Sequence, residues 1–312
     1  MKNPFLYSTD NKRYHTFDYE MKRLFGGKVV KLALDAGMTC PNRDGSKGWG
    51  GCSYCGEAGA GEFAGNGKTV TEQLADAKEL LSAKWPSAQY LAYFQAHSNT
   101  YAPVSRLRAL WEEALAFPGV VGLCVATRAD CLPPEVVGLL AEFDRRTFLT
   151  VELGLQTVSD ATAERIGRGH SLAEFLEGYR KLTERGIRVC VHLIDSLPGE
   201  DREQMLETAR TVAALKPWGV KLHMLHLLKG TRLAQEYECA PFPLLTMEDY
   251  SELVCSQLER FPPATVVERV TGDGPREQVI APLWTLRKRA VLGTIDREFA
   301  NRETFQGIAA KP

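Results

Sequence analysis

An α/β fold of repeated, parallel βα units is the architecture this sequence predicts, and three observations carry the prediction. Apolar runs of strand length recur at 28–35, 89–95, 119–126, 147–155, 187–194 and 219–228, and helical patterns fill the gaps between them. Each run is near-continuously apolar, as strands covered on both faces are. The third observation is size: 312 residues, 44% hydrophobic and 25% charged, supply enough apolar surface to bury such a core. Parallel units either curl toward a barrel or spread as a doubly wound sheet, and strand count alone does not choose. In both, the active site lies at the carboxyl ends of the strands.

In order along the chain, residues 1–27 form an N-terminal extension without the apolar centre of a secretion signal. The first strand, KVVKLALD, runs into a cysteine-bearing loop. The following helix opens with Thr69 and Glu72 at capping-box spacing and puts Val70, Leu74, Ala77 and Leu81 on one face. The second strand is followed by Gln95 and Asn99, the third by Thr127 and Arg128; the fourth holds Glu152 and ends at Gln156. A helix opened by Ser171 and Glu174 buries Leu172, Phe175, Tyr179 and Leu182 and stops at Gly186. The fifth strand carries His192. The sixth carries His223 and His226, whose separation puts them on opposite faces of a strand, so they are not expected to pair as metal ligands. Residues 28–230 are thus the expected core. Beyond about residue 231 the alternation gives way to a short helix, a Pro-rich turn, a helix N-capped by Thr246, the segment ATVVERV, a Gly/Asp turn and a helix near 284–300. Residues 231–312 are expected to pack on the core as an extension.

Composition excludes several classes. No apolar stretch approaches the roughly 18–20 residues that span a bilayer, so a cytoplasmic protein without membrane partners is expected. A net charge of −1 argues against a protein that coats nucleic acid, while leaving room for a local basic patch such as Arg287, Lys288 and Arg289. Of the eight cysteines, Cys124 and Cys190 sit inside apolar runs and are expected as small core hydrophobes.

Cys40, Cys52 and Cys55 are different. They form a C-x11-C-x2-C cluster in a glycine-rich loop after the first strand, on the expected catalytic side. Three thiolates are one too few for a closed tetrahedral zinc site or an ordinary iron–sulfur cluster. Spacing alone leaves three readings: a [4Fe–4S] cluster with one open iron, structural zinc completed by a histidine or distant cysteine, and redox or core thiols.

The residues around this cluster resemble a family. The CSYC ending at 52–55 is similar to that of radical S-adenosylmethionine (SAM) enzymes. VELGLQ at 151–156 followed by ERIGRGH at 164–170, TRAD at 127–130, and HLIDSLPG at 192–199 resemble strand-end motifs of the radical SAM domain of the Elongator catalytic subunit. Closer still is the bacterial YhcC/YtqA family, which shares the long cysteine gap, the segment from Phe94 to Pro103 and the run from Glu268 to Arg276. Ala129, where that family usually has proline, removes no ligand.

This resemblance implies a partial (β/α)6 TIM-like barrel with a mixed, mainly helical C-terminal appendage. It implies a [4Fe–4S] cluster on Cys40, Cys52 and Cys55, with SAM chelating the open iron. Tyr54, Gln95, Thr127, Glu152, Gln156, Arg168, Leu197 and Pro198 are then expected around SAM, with Arg168 suited to the methionine carboxylate by its planar fork. Glu152 has a structural ion pair as its other reading, and Arg128 a pairing with Asp130. Asn99, Arg128 and His192 are expected toward the substrate, His192 with a core role as its alternative. The Elongator-like match implies transfer RNA as partner, and an electron donor such as flavodoxin or ferredoxin. The YtqA branch implies conversion of 5-carboxymethylaminomethyl to 5-aminomethyl on wobble uridine, often 2-thiolated, with Arg287, Lys288 and Arg289 lining an RNA rim. A radical SAM enzyme acting on a small molecule or protein is the alternative; from another class, a zinc-stabilised binding scaffold without catalysis.

Overall fold

A computed structural model describes residues 5–57, 59, 65, 68–272 and 274–310. The run from Glu268 to Arg276 therefore includes one position, Asp273, outside the described residues. Six parallel strands stand in sequence order: β1 (Val29–Leu34), β2 (Gln89–Phe94), β3 (Val120–Thr127), β4 (Phe148–Gln156), β5 (Arg188–Asp195) and β6 (Gly219–Met224). The run expected as one strand over 219–228 divides. The Leu225 N–H is taken by the Asp195 carbonyl at 3.1 Å, and the chain leaves the sheet to form β7 (Leu227–Leu228). Within the expected C-terminal extension, β8 (Val266–Arg269) pairs parallel with β6 as a seventh strand, while β9 (Val279–Ala281) pairs antiparallel with β7. The seven strands curl into a half-barrel, the partial TIM-like architecture expected.

Helices α1 (Phe17–Phe25), α2 (Val70–Ser82), α3 (Val104–Ala116), α4 (Pro134–Asp144), α5 (Asp160–Arg165), α6 (Leu172–Thr183), α7 (Arg202–Ala214), α8 (Arg232–Cys239), α9 (Met247–Leu258) and α10 (Lys288–Asn301) complete the described chain. The capping boxes at Thr69–Glu72 and Ser171–Glu174 form as the spacing predicts, and Thr246 caps α9. Each box satisfies two backbone N–H groups that a helix start leaves open.

Strand alternation decides which side of the sheet becomes the site. On β4, Val151, Leu153 and Leu155 pack outward with Leu140, Phe143 and Phe175 of the helices, all fully buried. Glu152, Gly154 and Gln156 therefore face inward. The amino ends of the strands are sealed by α1: Met21 packs against Val29, Leu91, Tyr93 and Cys124, and Phe25 meets Phe148 edge-on at 5.6 Å. Just before α1, the His15 carbonyl accepts the Val267 N–H at 2.7 Å, which ties the N-terminal segment to β8. The barrel interior is thus closed below and open at the carboxyl ends. No helix among the described residues is long and apolar enough to cross a membrane.

Asp195, at the end of β5, is sealed under α9. Gln257 donates to its Oδ1 at 2.6 Å, while Asp195 Oδ2 and Gln257 Oε1 are buried without partners. A proton on the carboxyl supplies the donor those two oxygens lack. Burial, against the Gln257 hydrogen bond and with Glu200 nearby, pushes this carboxyl up to about 7. A folded value above the unfolded one means stability that is full below pH 3.8 and lost as pH rises through 7. Asp195→Asn keeps both hydrogen-bonding functions without a titrating proton. It is expected to be more stable than the parent at pH 8 by at least ~1 kcal/mol and to remove the decline between pH 4 and 7. Urea midpoints of both proteins across that range check this; parallel curves would refute it.

Candidate active site

The loop from Cys40 to Cys55 is folded by its own backbone. The Cys40 carbonyl accepts the N–H groups of Arg43 (2.8 Å) and Asp44 (3.2 Å), Gly51 donates to Asn42 O at 2.8 Å, and Cys55 donates to Cys52 O at 3.0 Å. Ser53 donates to Ile166 O at 2.8 Å, anchoring the loop to the turn after α5. Asn42 reaches across with Nδ2 to the Gly167 carbonyl and lies 3.7 Å from Cys52 Sγ as an N–H···S donor. Gly169, with φ +75°, must lack a side chain because a Cβ there would meet Asn42 Oδ1 at 2.8 Å.

Cys40, Cys52 and Cys55 line one cavity of about 320 Å³ at the carboxyl ends of the strands. None is in a disulfide, and each is half-buried. No three ligand-type side chains among the described residues converge on a single-ion position. A lone zinc ion draws its ligands to about 2.0–2.3 Å from one point, whereas a polynuclear cluster takes its thiolates on separate irons. Three free thiols lining one cavity are the donor set of a cluster that leaves one iron open. Arg43, also lining the cavity, has its Nε buried without a hydrogen-bond partner, a donor left for an anionic guest.

Beneath the thiols, the floor is ionic. Glu152 Oε1 accepts from Lys31 at 2.6 Å; its Oε2 accepts from Tyr93 OH at 2.6 Å, from Lys221, and from His192 Nε2 at 2.8 Å. Lys31 also pairs with Glu268, which lies 3.5 Å from Lys221. These groups come from β1, β2, β4, β5, β6 and β8, one side chain per strand. Burial alone would push the Glu152 carboxyl up; Lys221, Lys31 and His192 together hold it well below the usual carboxylate range.

Of the residues expected around SAM, Tyr54, Gln95, Thr127, Gln156, Glu152 and Arg168 all reach the cavity wall. Gln156 has φ +63° at a register shift between β4 and β5, which turns its side chain back over Gly154; a Cβ there would meet Gln156 Nε2 at 2.6 Å. Two expectations change in character. Glu152 has both oxygens committed to the ion network, the structural alternative. Arg168, expected to fork onto a carboxylate, instead closes the turn after β4: it donates to the carbonyls of His170 (2.9 Å), Leu155 (2.5 Å) and Thr157 (2.6 Å) and is 1% exposed. Arg128 lines the cavity and grips Asp130 with two parallel bonds of 2.9 and 2.8 Å, the pairing expected as its alternative. With Lys47, Arg128 holds the buried Asp130 carboxyl down to about 2.

Leu197 and Pro198 are not in the cavity wall. Leu197 packs with Ile166, Leu225, Leu227 and Leu233, and its carbonyl accepts the Glu200 N–H inside its own turn. Asn99 is likewise absent from the wall: its amide donates to the carbonyls of Ala96 (2.9 Å) and Ala126 (3.1 Å), pinning the loop after β2 onto β3. Arg287, Lys288 and Arg289 lie exposed at the amino end of α10, outside the cavity.

The sequence reading missed most of the histidines. Five of the six, His97, His170, His192, His223 and His226, line this cavity. His223 and His226 share it because the chain leaves β6 between them, so strand alternation no longer separates their faces. Burial pushes the His170 imidazole down to about 4, with Arg168 and Arg128 adding to it, and pushes His223 well below its usual value. The missed signal was the polar residue inside three other apolar strands: Lys31 of β1, Tyr93 of β2 and Lys221 of β6.

A family model described as the Radical SAM superfamily matches residues 40–212, and one described as the Radical SAM C-terminal domain matches residues 217–301. The chain is 51% identical over 306 residues to the uncharacterized protein YtqA of Bacillus subtilis, covering 98% of this chain and 95% of that one. It is 37% identical over 299 residues to protein YhcC of Escherichia coli, covering 96% of each. Among solved structures, the Elp3 protein of the archaeon Methanocaldococcus infernus matches with a TM-score of 0.68 over 90% of this chain and 64% of that chain, at 16% identity; that likeness concerns the fold.

Proposed function

The chain belongs to the radical SAM superfamily, in its YtqA/YhcC branch, and from that premise we propose that it modifies the wobble uridine of transfer RNA, converting a 5-carboxymethylaminomethyl group to 5-aminomethyl. The cofactors are a [4Fe–4S] cluster and SAM. When bound, they supply a 5′-deoxyadenosyl radical that takes a hydrogen atom from the substrate. The observation that carries the reading is the shared cavity, with three thiols at its mouth and a closed, charged floor.

Each residue then has a physical task. Cys40, Cys52 and Cys55 hold the cluster, and the Asn42 N–H 3.7 Å from Cys52 Sγ stabilises negative charge on that sulfur. Tyr54, backed by the apolar cluster around Leu197, offers a ring face to the adenine. Gln95, Thr127 and Gln156 ring the strand ends and bind the polar parts of SAM, while the orphan Nε–H of Arg43 serves its carboxylate in place of the committed Arg168. Ile194, Leu225 and Leu228 line the same wall and exclude water. Arg287, Lys288 and Arg289 place three cations where the α10 dipole is also positive, an edge suited to phosphate. The electron donor is proposed to be a flavodoxin or ferredoxin of the cytoplasm.

Two measurements test this. Nucleoside mass spectrometry of tRNA from a strain lacking the protein is expected to show the carboxymethylaminomethyl nucleoside accumulating; an unchanged profile would overturn the RNA reading in favour of a small-molecule or protein substrate. Filter binding of unmodified tRNA to a triple Ala variant at 287–289 is expected to weaken and to flatten in salt dependence, by about 0.7–0.9 in log–log slope for each phosphate that is no longer neutralised. Unchanged affinity and slope would discard that edge.

A further inference from the structure

The floor of the cavity contains a carboxylate–imidazole pair that radical generation does not require. His192 is fixed at Nε2 by Glu152 Oε2 at 2.8 Å, and among the described residues its Nδ1 has no partner. The ionised carboxylate is acceptor-only, so Nε2 must carry a proton, and in the neutral ring Nδ1 then carries the lone pair. His223 stands one ring away, centroid to centroid 5.5 Å, with its Nε2 buried and unpartnered. Both rings line the cavity.

We infer that His192, seated on Glu152, is the base that takes a proton from the nitrogen of an amine-bearing substrate. This rests on the proposed substrate. An aliphatic secondary amine arrives at neutral pH as an ammonium, with no lone pair. Hydrogen abstraction from the adjacent carbon is far easier beside a neutral nitrogen, whose lone pair delocalises into the half-filled orbital. The N–H bond breaks, its electron pair stays on nitrogen, and the proton passes to Nδ1, giving an imidazolium that still donates to Glu152.

The surrounding charges suit this role. Facing His192 are Glu152, Lys221, Glu268 and His223; facing His223 are also Arg269 and His226. Lys31 and Lys221 balance Glu152 and Glu268 within the network. A third cation there is unwelcome, and burial with Lys221 pushes the imidazole below its usual value despite Glu152. His192 therefore rests neutral, as a base must, and the same field lowers the basicity of a bound ammonium.

The test uses reconstituted holoenzyme and His192→Gln, which keeps an N–H for Glu152 and lacks a basic nitrogen. The variant is expected to hold its cluster, with the iron and sulfide content of the parent, yet form product about 100-fold or more slowly. The acidic limb of the parental kcat/KM profile should vanish. Product formation within about threefold of the parent, or a slow variant that keeps the acidic limb, would overturn the inference. A second readout needs no substrate: ¹⁵N shifts of histidine-labelled holoenzyme, assigned by the signal that disappears in H192Q, should show Nδ1 unprotonated at pH 7. A protonated Nδ1 would overturn it equally. If the parent leaves the carboxymethylaminomethyl nucleoside untouched, the proposed substrate falls and the ¹⁵N result alone decides the state of His192.

Discussion

Cys52→Ala is expected to purify colourless, to lose essentially all of the roughly four irons and four sulfides of the reconstituted parent, and to form no 5′-deoxyadenosine above background. The same holds for Cys40→Ala and Cys55→Ala, since each thiolate is proposed to hold its own iron. The informative control is Cys131→Ala. Cys131 is near enough to Cys40 to feel its charge, and by count it could fill the fourth position. Its thiol is instead turned to the neighbouring carboxylate, donating to Asp130 Oδ1 at 4.0 Å. It is also 4% exposed and lines a separate, larger groove of about 690 Å³ that contains none of the three cluster cysteines. C131A is therefore expected to keep its iron and its SAM cleavage. Loss of iron in C131A to the level of C52A would make the site a closed four-cysteine cluster and end the reading in which SAM takes the open iron.

What the sequence disclosed and what it withheld divide along one physical line. Signals confined to a few neighbouring residues were legible: six strand-length runs, capping boxes at Thr69 and Ser171, and the spacing of the three cysteines. Each depends on short-range geometry that the residues themselves enforce. Contacts between distant segments were not. The ATVVERV segment looked like part of an appendage because nothing local says that it will hydrogen-bond to β6. Arg168 looked free to fork onto a ligand, because the three carbonyls that claim it lie 2 to 13 residues away in a turn whose shape the sequence does not print. Lys31 and Lys221 were passed over as interruptions of apolar strands. They are 190 positions apart, and only curling of the sheet brings both to Glu152.

Glu152→Ala is expected to destabilise the fold by about 3–5 kcal/mol, the cost of leaving buried charge uncompensated. The carboxylate is fully enclosed and accepts four donors. Its removal leaves two ammonium groups, side chains 16% and 6% exposed, facing only Glu268, whose Oε1 has no partner among the described residues. Met21 and the aromatic rings around α1 seal the amino end of the barrel, so the route for water to the two ammonium groups is from the cavity side. Glu152→Gln should cost less, since it keeps an acceptor for one lysine. Adding Lys221→Met to E152A should recover part of that stability by removing one orphaned cation, although Tyr93 and His192 remain without their acceptor. Urea unfolding with unchanged m-values measures all three, and a destabilisation below ~1 kcal/mol in E152A would show that water or a counter-ion already relieves the network. The pH dependence has a definite sign. Because the folded carboxyl is held below its unfolded value, its contribution is present above pH 4.5 and is lost only as pH falls toward the folded value, far into acid. A hydrophobic plug of the same volume would stabilise this barrel at least as well as a buried ion network. What such a plug cannot do is hold His192 by one nitrogen and leave the other facing the cavity.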